Sequence, residues 1–230
     1  YELFLKLEFV RLIDRYQLRG AQAEPAAPSE PQPELPRAER LPEPGTSCAV
    51  LFSADGAEPA VAWEGGVCCL RTEEHRQALA ALLSDGAEKA CWDLKALWHT
   101  AERFGVEPQG VTFDALVAGY VLDPSASDYQ LGGLCVRYLQ RQPDEQDLGA
   151  QAAALFALRE PVTARLRELG LERVYREIEL PLCGVLARME SRGVLVDRAA
   201  LEQFDRMLEG RIASEEAAIY ELAGGAFNIL

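Results

Sequence analysis

Residues 21–44, AQAEPAAPSEPQPELPRAERLPEP, hold seven of the chain's 13 prolines and no aromatic residue. Proline lacks the amide donor that helices and sheets need, and it disfavours helix in the residue before it. Such a run cannot sit inside a packed element, so the chain is divided there. The segment is expected to be an extended, semi-rigid, acidic linker. The PxxP spacing of Pro33 and Pro36 also fits a partner-binding peptide, which keeps a protein-interaction module through residues 21–44 among the readings.

Before the linker, residues 1–20 carry apolar side chains at 3, 4, 7, 10, 13, 16 and 18, a helical period ended by Gly20. This helix needs a docking partner, either the body of the chain or a preceding domain.

The body is expected from Gly45. TSCAVLFSADG, EPAVAWEGG and VCCLRT read as three strands in a meander, with Gly65-Gly66 at the second turn. TEEHRQALAALLSDG reads as a helix with Thr72 as its N-cap. EKACW is a short strand, and the next helix starts at Asp93 as N-cap, packs through Leu94, Leu97 and Trp98, and stops at Gly105. A strand follows around Val111–Phe113, then only helices, with Pro161 and Pro181 expected to begin or kink turns and a last helix over 198–222. A meander followed by strands joined through helices predicts an α/β fold: a mixed sheet flanked by helices.

Several function classes are disfavoured by composition. No run approaches the roughly 20 apolar residues of a membrane span. No secretory leader pattern is visible, and a start at Tyr1 reads as a piece of a longer, cytoplasmic chain. The six cysteines, Cys48, Cys68, Cys69, Cys91, Cys135 and Cys183, form no CxxC pair and read as small buried hydrophobes in a reducing compartment. A net charge of −14 argues against a free-standing nucleic-acid binder, so DNA affinity is expected to be weak. His75 and His99 show no evident carboxylate or cysteine partner, and Asp114 in TFDAL reads as a helix cap.

TFDALVAGYVLDPSASDYQL resembles a segment of the 3′–5′ exonuclease domain of the bacterial DNA polymerase I family, the family A repair polymerases. IELPLCGVLARMESRGVLVD, followed by AIYELAGGAFNI, resembles the junction into the polymerase domain, and LKLEFVRLI the segment after a 5′-nuclease domain. The resemblance implies a ribonuclease-H-like domain over 45–178 and the start of the polymerase thumb over 179–230. It also implies a monomeric parent DNA-directed DNA polymerase of replication and repair, using Mg²⁺ and DNA, with intramolecular contacts to polymerase and 5′-nuclease domains.

Two-metal phosphodiester hydrolysis needs a tight carboxylate cluster around ions roughly 4 Å apart. In active relatives the resemblance places these on three motifs: Asp-x-Glu ending the first strand, an aspartate in a context like Asn-Leu-Lys-x-Asp, and Tyr-x-x-x-Asp on a late helix. Here the first falls on Ser53 and Asp55, the second on Leu97 and the third near 151–156 in AQAAALF. Only Asp55 remains, a weak metal candidate in an Asp-Gly turn pair. The expectation is a degenerate exonuclease site with no catalytic or metal residue in this chain; the alternative is an active exonuclease using Asp55, Asp93 and Asp114.

Overall fold

The computed structural model describes residues 35–126 and 129–229. The expected helix over 1–20 and linker residues 21–34 lie outside the described residues.

Strands β1 (Cys48–Phe52), β2 (Pro59–Trp63) and β3 (Gly66–Cys69) form the meander, each antiparallel to the next. β4 (Lys89–Cys91) runs parallel to β1, and β5 (Val111–Asp114) parallel to β4. The order across the sheet is β3-β2-β1-β4-β5, with β1 in the centre. Strands CAVLF and PAVAW are apolar at consecutive positions because they are covered on both faces: Cys48, Ala49, Val50, Ala60, Val61 and Ala62 are all buried.

Helix α1 (Thr72–Ser84) joins β3 to β4, and α2 (Leu94–Arg103) joins β4 to β5. Then follow α3 (Ala115–Leu122), α4 (Leu131–Leu139) and the long α5 (Leu148–Glu168), which packs on the sheet through Leu155, Leu158 and Val162. α6 (Glu172–Val174), a π-helical turn (Tyr175–Glu179) and α7 (Leu180–Arg192) come next, then α8 (Arg198–Ala223). No helix among the described residues is long and apolar enough to cross a membrane.

Local expectations fail at three places. Arg71, not Thr72, occupies the cap position of α1, and the Thr72 hydroxyl instead donates to the Gly56 carbonyl at 2.7 Å. Pro161 does not interrupt α5, whose buried row of Leu158, Val162 and Leu166 outweighs the missing amide. The linker gives way to the body before residue 45, since Arg37 bridges Val67 on β3. Compact packing divides the chain between Ser191 and Arg192. Tyr175, Leu180, Cys183 and Ala187 are buried in the first unit, which is why the chain stays with it through α7.

A candidate nuclease cleft

The C-terminal ends of the parallel neighbours β1 and β4 open into a cleft of about 390 Å³, where open α/β sheets bind their ligands. Ser53, Asp55, Trp92, Asp93, Leu97 and Arg103 are among its lining residues. The structure therefore brings together the two stretches that the motif argument paired.

β1 ends at Phe52 and the chain reverses through Ser53–Gly56, with Gly56 at a φ of 74°. The Asp55 carboxylate closes this turn: one oxygen accepts from the Ala57 amide at 2.9 Å and from the Ser53 hydroxyl at 2.7 Å. The Ala57 amide, then the Ser53 hydroxyl, hold its pKa below the usual aspartate value. The Ser53 oxygen in turn accepts from the Glu58 amide at 2.9 Å. Both side chains serve the loop that carries them.

On the other wall, Asp93 accepts from the Ala96 amide at 3.1 Å, as an N-cap should. One turn later Leu97 is only 4% exposed and belongs to the main core. Residues 151–156 are not at this cleft: on α5, Ala152, Ala154 and Leu155 are buried in the main core. Asp114 is not at the cleft either. It is fully buried at the end of β5 and accepts from the Leu94 amide with one oxygen (2.8 Å) and from the Leu116 and Val117 amides with the other (2.8 and 3.2 Å). Burial pushes its pKa up to about 7, against the pull of those amides. The trio Asp55, Asp93 and Asp114 is thus not assembled as one site.

Mg²⁺ demands near-octahedral oxygen ligation, and two such ions demand several free carboxylates. At this cleft Asp55 and Asp93 each have an oxygen engaged with backbone, and Leu97 offers hydrocarbon. Among the described residues no group of three or more His, Cys, Asp or Glu side chains is placed to hold a metal ion. The residues present do not fit a two-metal centre.

His99 lines the cleft and does have a carboxylate partner, contrary to expectation: its Nε2 lies 2.8 Å from Glu190, which also pairs with Lys95 at 2.9 Å. A partner 91 residues away leaves no local signal in sequence. Arg103 is also among the cleft's lining residues, and no motif marks it in the sequence.

The family described as DNA polymerase I, ribonuclease H-like domain, matches residues 67–148. The chain is 34% identical to the DNA polymerase I of Geobacillus stearothermophilus over 171 residues, covering 66% of this chain and 20% of that protein. Its whole length aligns with the DNA polymerase I of Caldicellulosiruptor bescii at 27% identity, covering 28% of that protein. Among solved structures, the POL domain of Pol1 from M. smegmatis, in complex with DNA primer-template and dNTP, superposes with a TM-score of 0.73 at 27% identity. That match covers 84% of this chain and 38% of the other. The chain therefore spans between a fifth and somewhat over a quarter of the two polymerases it is compared with.

Proposed function

The chain belongs to the DNA polymerase I family, with that enzyme's ribonuclease H-like domain over residues 67–148, and from this premise we propose that it is a structural, non-hydrolysing exonuclease-like region of a DNA-directed DNA polymerase. The parent enzyme would act in DNA replication and repair, with Mg²⁺ serving nucleotide transfer at residues outside this chain. DNA would be held mainly through the parent's polymerase part. The thumb would begin in the region after 178, and the segment before the linker would face a 5′-nuclease domain.

The observation that carries the loss of hydrolysis is the content of the cleft. Water activation and leaving-group stabilisation by two ions require carboxylates that are free and convergent. Ser53 and Asp55 instead bond each other and their own loop, and Leu97 is packed into core. What these residues do is hold the β1 turn and seat α2 against the sheet.

The test is digestion of 3′-labelled single-stranded DNA by the purified chain with Mg²⁺ or Mn²⁺. No shortening above the enzyme-free control is expected. Degradation that Asp55→Ala abolishes would establish the alternative, a working exonuclease with an unusual ligand set.

A further inference from the structure

The sheet has two edge strands, β3 and β5, and each meets a different stop. At the last residue of β5, the Tyr175 hydroxyl takes both backbone groups of Asp114, accepting from its amide at 2.7 Å and donating to its carbonyl at 3.0 Å. At β3 the stop is the chain's own stretch 35–41. The Val67 amide donates to the Pro36 carbonyl at 2.9 Å, and the Ala38 amide donates to the Val67 carbonyl at 2.8 Å. Arg37 is thereby bridged in parallel to Val67. In such a bridge the neighbours of Arg37 bond inward, so its own amide and carbonyl face away from the sheet.

An edge strand offers unpaired amides and carbonyls to any other strand, and proteins blunt it with charge, proline, a bulge, shortness or a cover. β3 reads GVCC and runs on into Leu70, with no charge and no proline. Its protection therefore rests on shortness and on the cover. The covering stretch carries what β3 lacks: Pro36, Arg37, Glu39 and Arg40. A further strand arriving there would find one outward-facing residue, with a proline before it and a charge on its side chain.

The cover is fastened to the body. Leu35 and Leu41 pack against the main core, and Ala38 and Leu41 against Cys68, Leu70 and Leu79. The Arg37 guanidinium donates to the Asp147 carboxylate at the head of α5 and, at 3.2 Å, to the Cys69 sulfur. The other Asp147 oxygen caps α5, accepting from the Gly149 and Ala150 amides at 2.9 and 3.1 Å.

We propose that residues 35–41 guard the β3 edge, and that what they keep out is β3 of a second copy of this chain. Two identical apolar edges can pair antiparallel about a two-fold axis, each strand meeting the same residues of the other. Main-chain hydrogen bonds would then run the sheet on from one copy into the next.

Sedimentation velocity and hydrogen exchange on the whole chain test this, with reductant present so that the exposed Cys69 cannot cross-link copies. The double variant Ala38→Pro, Asp147→Asn removes the amide that meets the Val67 carbonyl and the charge that holds Arg37. Asparagine still supplies a cap oxygen for α5. In dilute solution the Val67 amide of this variant should exchange about tenfold faster or more, while Val50 and Ala90 in the sheet centre keep wild-type protection. As concentration rises, its mass should climb above that of the wild type, toward twice the value. Adding Cys69→Lys, a charge at the exposed end of β3, should return it to the wild-type curve. A variant with an unprotected Val67 amide whose mass follows the wild type would overturn the proposal. So would unchanged protection at Val67, because the cover would not be what shields that edge. Lost protection at Val50 and Ala90 would overturn it by making the stretch part of the core, and doubling that survives Cys69→Lys would place the contact on another surface. None of these outcomes depends on nuclease activity, so they stand apart from the test of the cleft.

Discussion

Leu97 is a single side chain on which two incompatible designs meet. As a carboxylate it would serve metal; as leucine, 4% exposed, it fills the space between α2 and the sheet. Leu97→Asp is expected to lower the unfolding free energy by about 3–5 kcal/mol in urea denaturation, since it removes buried hydrocarbon and inserts a carboxyl without a partner. Leu97→Met should cost less than about 1.5 kcal/mol. Calorimetry of Leu97→Asp should detect no Mn²⁺ binding, because Asp55 and Asp93 keep their backbone partners. Micromolar affinity would show that the cleft lies one substitution from a metal site. At this scale much was legible. The capping role of Asp93 follows from its place before an apolar-periodic run, and the turn role of Asp55 from the glycine after it. The Glu190 partner of His99 was not legible, because pairing across 91 residues depends on how two helices lie together.

Asp114 acts between elements: it ends β5, caps α3 and receives the first amide of α2. The Tyr175 hydroxyl closes the other side, donating to the Asp114 carbonyl at 3.0 Å and accepting from its amide at 2.7 Å. With a carboxyl pKa raised to about 7, the folded chain holds this proton more tightly than the unfolded one. Its contribution to stability is full below about pH 4, the ordinary aspartate range, and is lost as pH climbs through about 7. Asp85 and Asp147, held below the usual range by partners that include Lys89 and Arg37, act with the opposite sign and lose their contribution on acidification. Asp114→Asn should therefore be less stable than wild type by about 2 kcal/mol at pH 5.5, having lost one acceptor, with a smaller deficit at pH 8.5. A deficit that widens with pH would mean that the three amides win and the carboxylate is preferred charged. The sequence showed Asp114 as a cap of its own helix, which is a local pattern. Its bond to Leu94 comes from parallel strands placed side by side, and only the fold supplies that.

For the molecule as a whole, a net charge of −14 opposes the phosphate backbone. Fluorescence anisotropy with single-stranded and duplex DNA at physiological salt should give dissociation constants weaker than micromolar; submicromolar binding would contradict this. The mixed sheet was readable because its strands and helices are short local patterns in an order that few topologies allow. The division at Ser191 was not, because the family resemblance marks where a domain begins by descent, whereas packing follows which side chains of α7 find a partner. Nor was the pairing of Arg37 with Asp147, which joins residues 110 positions apart.

The π-helical turn at Tyr175–Glu179 has a consequence for how this region can change by insertion and deletion. Each residue added to or taken from a helix turns everything beyond it by about 100°. Removing one residue here would rotate α7 about its axis and swing Gly184 away from Trp98, whose ring leaves only 3.1 Å for a Cβ at that position. Glu190 would leave Lys95 and His99 in the same motion. Substitutions at the exposed positions Arg176, Glu177 and Ile178 are absorbed locally, while Tyr175 is held by its bonds to Asp114 and the length of the turn fixes the rotational phase of α7.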